Sequence, residues 1–398
     1  MIINKNKVKT KKLYCNVNGY IQTTFLYCHR TKGCFLVFLI RCNIIAMTTL
    51  SRQPEYICRC YLNKNIFIKK FRIHTTYESD EQFEKEFRSL LRLNGCSTDK
   101  QYQNTLSGVH EEIKRRSTYH KQFLENYEYN QQHYEKLNPE IWSLQPCFLD
   151  PRFVTIAHDA TGLSKEKLMS LILHMGGDIT EAMVYKLPVF TKAFCFKLID
   201  EISNFEKFPG RKTRPNTMNA SGISLDEMGL SDSLITSLVR DYFQPITRIL
   251  FPHWGGGLID SYRAFIVKYE AHGDRELSLH FDNSEITANI SINEDYEGGQ
   301  LQVRKMSTAA GVDEEFSEPM VKISHEMCFG LLHCGRQHHS ALPLNQGIRY
   351  NLVIWMRSSE VRNKMCPMCH DVPDLIEVPI AGDGFIPIKK SKHTCSYL

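Results

Sequence analysis

Apolar residues recur at helical spacing through roughly the first two thirds of the chain, then at close, strand-like spacing after Tyr262. Ser79-Asp80-Glu81-Gln82 has the form of a capping box, and Phe83, Phe87, Leu90 and Leu91 then repeat with the helical period until Gly95. A second capped helix is predicted from Ser164, with Leu168, Leu171, Ile172 and Met175 on one face and Gly176-Gly177 ending it. A third follows Thr191 with Phe194, Leu198 and Ile202, and a fourth runs from Ser231 to Leu250 with Pro245 near its end. Residues 101–137 are rich in Gln, Glu, Lys and Tyr and poor in aliphatics, which predicts an exposed helix or linker and little core of its own. The later runs are short and β-rich: Arg263–Tyr269, Leu277–Phe281, Ile286–Ile292, Gly299–Val303, Met320–Ile323, Cys328–His333 and Arg349–Trp355. Turn residues such as Gly298-Gly299 and Pro343…Gly347 separate them. The pattern is that of an α+β protein, a β barrel or sandwich with helices packed outside it.

Composition changes this picture little. With 398 residues the chain is long enough for two structural units, and 42% hydrophobic with 23% charged residues is ordinary for a globular protein. Much of the net charge of +5 sits between Lys5 and Lys12, leaving no basic stripe that would suit nucleic acid. The 14 cysteines lack a disulfide-scaffold rhythm, so reduced thiols and a cytoplasmic or nuclear location are expected, with the ER lumen as the alternative. The sequons at Asn219 and Asn289 could be read as secretory, but the second falls in a predicted strand where a glycan has no room. Phe35–Ile40 is apolar yet far too short to span a bilayer. Residues 1–46 read as a disordered extension or as translated upstream sequence with Met47 as the start, the second being preferred.

The candidate chemistry lies in the β-rich part. In Leu277-Ser278-Leu279-His280-Phe281-Asp282 the alternation of a strand puts His280 and Asp282 on one face, where both can reach a single ion. An imidazole with a carboxylate suits iron(II), manganese or zinc. Downstream, His333, His338 and His339 each offer a second imidazole. Two His and one carboxylate occupy one face of an octahedron and leave positions for a bidentate cosubstrate and dioxygen. Arg349 opens an apolar strand, where burial without a partner would be costly, and its planar fork matches the far end of a dicarboxylate.

These residues resemble a known family. His280-x-Asp282, Gly298-Gly299-x-Leu301 and His339…Pro343…Gly347-x-Arg349 match the 2-oxoglutarate/iron(II) oxygenases of the prolyl and lysyl hydroxylase type. Counting back from Pro343 and Arg349 selects His339 over His333 and His338. Lys186–Phe190, Arg214–Asn219, Arg263-Ala264-Phe265 and Arg362-Asn363…Cys366-Pro367-Met368-Cys369 narrow the resemblance to the 2-oxoglutarate- and iron-dependent oxygenase domain-containing protein 2 family, from about Tyr56 onward.

That resemblance implies a double-stranded β-helix (jelly-roll) core. It also implies iron(II) on His280, Asp282 and His339, 2-oxoglutarate held by Arg349, dioxygen as co-reactant, ascorbate as a further cofactor, and hydroxylation of a substrate carbon. Tyr269 is a further candidate for the cosubstrate. The implied organisation is an unassigned extension over 1–48, a mainly helical region over 49–180, the oxygenase domain over 181–360 and a Cys-containing tail over 361–398. The strand Thr287–Ser291 is lysyl-hydroxylase-like and tilts the substrate towards a protein side chain. A catalytically inactive jelly-roll binding module is the alternative, separable by succinate release.

Two features lie outside this reading. Cys366-Pro367-Met368-Cys369 has zinc-knuckle spacing, and His370, His393 and Cys395 could complete four ligands. The second half is no matching Cys-x-x-Cys, so structural zinc in the tail is not expected. Cys58-Arg59-Cys60 cannot close a zinc site alone.

Overall fold

The structure, a computed structural model, describes residues 12–17, 20–31 and 34–41 as backbone, and residues 55–305 and 320–387 with their side chains. The chain divides into two compact units, Met1–Gln53 and Pro54–Leu398. In the first, β1 (Lys12–Val17), β2 (Tyr20–Thr31) and β3 (Cys34–Arg41) form an antiparallel meander, and the apolar Phe35–Ile40 run falls within β3. Met47 lies outside the described residues.

The second unit opens with β4 (Glu55–Cys58), α1 (Cys60–Asn63) and a hairpin of β5 (Ile66–Ile68) and β6 (Ile73–Thr75). The capped helix after Ser79 forms as α2 (Asp80–Leu93), with the Ser79 side chain accepting from the Gln82 amide. The polar stretch beyond it is a single helix, α3 (Asp99–His133), 35 residues and therefore about 52 Å long. Thr98 and Gln101 make a reciprocal capping box at its start. Aromatic residues supply much of its inner face: Tyr102, Tyr119 and Phe123 are buried along with Leu106 and Val109. Its first half closes a small core with Ile66, Phe71, Ile73, Phe83 and Leu91.

Next come α4 (Pro151–Asp159), α5 (Lys165–His174), β7 (Asp178–Ile179), β8 (Tyr185–Pro188), α6 (Lys192–Lys207), β9 (Gly222–Ser224) and α7 (Leu225–Met228). Ser164 and Thr191 cap α5 and α6 through their side chains, as their sequence positions predict. The helix expected over Ser231–Leu250 starts in wide π windings at Ser231–Ile235 and Leu238–Phe243. It tightens to α8 (Gln244–Leu250) where Pro245 occupies the first turn, a place that needs no amide donor.

The strands that follow are β10 (Ser261–Glu270), β11 (Leu277–His280), β12 (Ile286–Ser291), β13 (Tyr296–Gly298), β14 (Leu301–Val303), β15 (Val321–Ile323), β16 (Phe329–Cys334), β17 (His339–Ala341) and β18 (Leu344–Arg357). α9 (Ser359–Arg362) and β19 (Leu375–Val378) close the described chain. The larger sheet runs β7-β8-β16-β12-β18-β10-β9, with β13 also on β18, and the smaller runs β11-β17-β14-β15. Strand alternation divides the larger sheet's two faces. Ala264, Ile266, Ala288, Ile290, Leu352 and Ile354 point into the core made with the helices. Phe265, Val267, Tyr269 and Val353 point the other way, with Leu344 and Ala341. The predicted α+β arrangement, with helices packed against a β-rich core, is the one observed. Among the described residues no helix is long and apolar enough to cross a membrane.

Candidate metal centre

His280 ends β11 directly opposite His339, which begins β17. Asp282 lies just beyond the strand, which ends at His280. Its backbone amide instead donates to the Gly335 carbonyl at 2.8 Å, which turns its carboxylate towards the two imidazoles. His280 Nε2 is 3.8 Å from Asp282 Oδ1, and His339 Nε2 is 3.6 Å from Asp282 Oδ2. All three ligand atoms lie within 4.8 Å of one another. One face of an octahedron with bonds of about 2.1 Å has edges of about 3 Å, so each imidazole need close on the carboxylate by less than about 1 Å.

The tautomers follow from the partners. His280 Nδ1 lies 2.7 Å from the Ser278 carbonyl and His339 Nδ1 lies 2.8 Å from the Gln337 carbonyl. A carbonyl only accepts, so both Nδ1 atoms carry the proton and both Nε2 lone pairs face the carboxylate. Burial, followed by the neighbouring His339, pushes the His280 imidazole well below its usual pKa and keeps it neutral. The carboxylate is oriented too: Thr287 Oγ1 donates to Asp282 Oδ2 at 2.7 Å and is itself 2.8 Å from Ser284 Oγ. An oriented donor set of two imidazole nitrogens and one carboxylate oxygen suits iron(II).

The rival histidines stand apart from this set. His333 is fully buried on β16 with its ring 4.8 Å from that of His339, its Nδ1 donating to the Cys334 carbonyl and its Nε2 unpartnered. Burial holds its pKa at about 4. His338 packs its ring against Phe281.

The three ligands open into a cavity of about 350 Å³ that Arg349, Tyr269, Asn289 and the Asn216–Asn219 loop also line. Arg349, 1% exposed on β18, donates from Nε to Asn351 Oδ1 at 2.9 Å and from Nη1 to the Gly299 carbonyl. Gly299 is required here, since it has a φ of +66° and a Cβ would stand 3.2 Å from Arg349 Nη1. Its Nη2 meets the His325 imidazole at 3.1 Å, and its guanidinium carbon lies 5.3 Å from the Tyr269 ring centroid. Burial and the adjacent Arg349 push His325 well below its usual pKa. Among the described residues no carboxylate pairs with Arg349, a costly state for a buried cation unless an anion joins it. His325 was not anticipated; nothing in its sequence surroundings marks it. Both sequon asparagines are committed inside, Asn219 at 1% exposure and Asn289 on the cavity wall.

An OGFOD2-like domain profile matches residues 131–256. The chain is 39% identical over 343 residues to the 2-oxoglutarate and iron-dependent oxygenase domain-containing protein 2 of Xenopus tropicalis, covering 86% of this chain and 96% of that one. It is 35% identical to the Homo sapiens protein of the same name, over 83% of this chain and 94% of that one. A multifunctional procollagen lysine hydroxylase and glycosyltransferase of Rattus norvegicus is 29% identical over 43% of this chain and 23% of its own. The chain therefore belongs to the 2-oxoglutarate and iron-dependent oxygenase domain-containing protein 2 family, and it is a 2-oxoglutarate- and iron(II)-dependent oxygenase.

Proposed function

We propose that the protein hydroxylates a side chain of a protein substrate, using a jelly-roll core in which the β11-β17-β14-β15 sheet faces β16-β12-β18-β10. His280, Asp282 and His339 hold the iron, Arg349 grips the far carboxylate of 2-oxoglutarate, and Tyr269 places its hydroxyl towards that carboxylate. One observation carries the reading: a buried guanidinium with no anionic partner among the described residues lines the same cavity as the metal-ligand triad. Bound there, iron(II) with 2-oxoglutarate and dioxygen supplies an oxidation that yields succinate, carbon dioxide and a hydroxylated carbon.

The chain's own groups do the positioning. The Ser278 and Gln337 carbonyls fix the imidazole tautomers, and Thr287 fixes the carboxylate. Gly299 and Asn351 hold the guanidinium, whose two-pronged bond to a carboxylate gains strength from the excluded water. A cavity of about 350 Å³ has room for a dicarboxylate and one extended side chain but for no folded surface. The lysine-hydroxylating relative and the lysyl-hydroxylase-like strand β12 support a protein substrate.

The test is anaerobic titration with iron(II) and 2-oxoglutarate, followed by aerobic turnover with peptide libraries read by mass. A metal-to-2-oxoglutarate charge-transfer band, succinate release and the gain of one oxygen atom on a peptide are expected. Cosubstrate binding without succinate under any substrate would leave only a binding module.

A further inference from the structure

We propose a second metal site, a structural zinc held by Cys58, Cys60, Cys366 and Cys369, which ties the end of β4, at the start of the main unit, to the turn after α9 and braces the wall of the oxygenase cavity. The two pairs come from opposite ends of that unit. Cys58 ends β4 and Cys60 begins α1, while Cys366 and Cys369 flank a tight turn after α9. In that turn the His370 amide donates to the Cys366 carbonyl at 2.9 Å, and His370 takes the left-handed conformation at φ 62°. The pairing of β4 with β19, Cys58 opposite Leu375, brings the two halves together.

The geometry is that of a closed four-sulfur site. Cys58 and Cys369 sulfurs are 3.9 Å apart, Cys60 and Cys366 sulfurs 3.7 Å apart, and all four lie within 4.8 Å of one another. A tetrahedron with zinc–sulfur bonds of about 2.3 Å has edges of about 3.8 Å. A disulfide would need about 2.05 Å, far shorter than either separation. Four soft thiolates in a tetrahedron select zinc among common divalent ions, and a set with no open position is structural rather than catalytic. Cys58, Cys60 and Cys366 are buried, and the nearby Lys64 is paired first with Asp371 at 3.3 Å. The tail does not supply the set by itself. His370 turns its ring to Phe281, 6.0 Å away, and His393 and Cys395 lie outside the described residues.

Cys58, Cys60, Cys366 and Met368 line the cavity that holds the iron ligands, and His370 touches Phe281, the residue between His280 and Asp282. Loss of zinc would therefore loosen that wall of the cavity.

The test is metal analysis of the full chain purified from zinc-replete cells without added metal. One equivalent of zinc per chain is expected, and it should persist in His280→Ala/Asp282→Ala, which removes the iron site as a competing zinc binder. Cys60→Ser/Cys366→Ser should lose that equivalent. Should this variant fail to fold, cobalt(II) exchanged into the intact chain should give the strong thiolate-to-cobalt bands of a tetrahedral four-sulfur site. Substoichiometric zinc in the wild type, cobalt without those bands, iron–sulfur absorption, or the four cysteines recovered as disulfides would each overturn the proposal.

Discussion

Thr287 illustrates how one hydroxyl governs a metal ligand. It is 1% exposed and donates to Asp282 Oδ2 while meeting Ser284 on its other side, so the carboxylate has one preferred orientation before any ion arrives. Thr287→Val keeps the shape and removes the donor. Iron(II) should then bind about ten- to a hundredfold more weakly with the fold intact, as measured by anaerobic titration beside circular dichroism. Arg349 is the residue proposed to hold the cosubstrate. Removing a charge-assisted, two-pronged contact costs about 2–4 kcal/mol, so Arg349→Ala should raise the 2-oxoglutarate concentration needed for half-maximal succinate release roughly thirtyfold or more. Asp282→Ala should abolish turnover outright. An unchanged cosubstrate requirement in Arg349→Ala would remove that residue from the cosubstrate's grip.

At the level of elements, the loop between β11 and β12 is fastened twice. Glu285 is 4% exposed there, accepts from Arg362 at 3.1 Å through both oxygens, and accepts from the Ser358 amide at 2.6 Å at the start of α9. Removing one partner of such a buried pair costs about 3–5 kcal/mol, so Glu285→Ala should lower the denaturation midpoint accordingly. Gly335, on the other side of the loop, accepts the Asp282 amide and would place a Cβ 2.1 Å from the Ser284 carbonyl. Gly335→Ala should destabilise by about 1–3 kcal/mol and also weaken iron binding, because the displaced loop carries Asp282. Much of this scale was legible in the sequence. Ser79, Ser164 and Thr191 cap the helices their positions announce, and His280, Asp282 and His339 converge as their types and spacing require. Other parts were hidden for physical reasons. α3 buries aromatic rings where the pattern seeks aliphatic ones, and β11 ends at His280, so Asp282 is placed by its amide bond to Gly335 rather than by strand pairing. His325 meets Arg349 only through tertiary packing.

The whole molecule carries several imidazoles that burial keeps uncharged. His120, buried on α3 with Nδ1 donating to the Ile380 carbonyl, is held below its usual pKa, as are His74 and His325, while His333 and His338 fall to about 4. Unfolded, each takes a proton near pH 6.5. Between that value and about 4 the unfolded chain binds more protons than the folded one, so stability must fall as the pH drops through this window. Each fully developed deficit contributes up to about 1.4 kcal/mol per pH unit. Urea unfolding of the metal-free protein at pH 7, 6 and 5 should show the decline; a flat profile would mean that these rings accept protons inside the fold.

The pairing of β4 with β19 fixes an order of events during synthesis. Glu55 and Val378 are partners, so a strand made at the beginning of the main unit has no neighbour until the ribosome has delivered Leu375–Val378. Until then β4 is an open edge, able to recruit any passing extended segment. A product released after Asp371 would never acquire that neighbour. Nascent chains should thus depend on shielding at their amino end, and early termination should yield sticky rather than merely inactive protein.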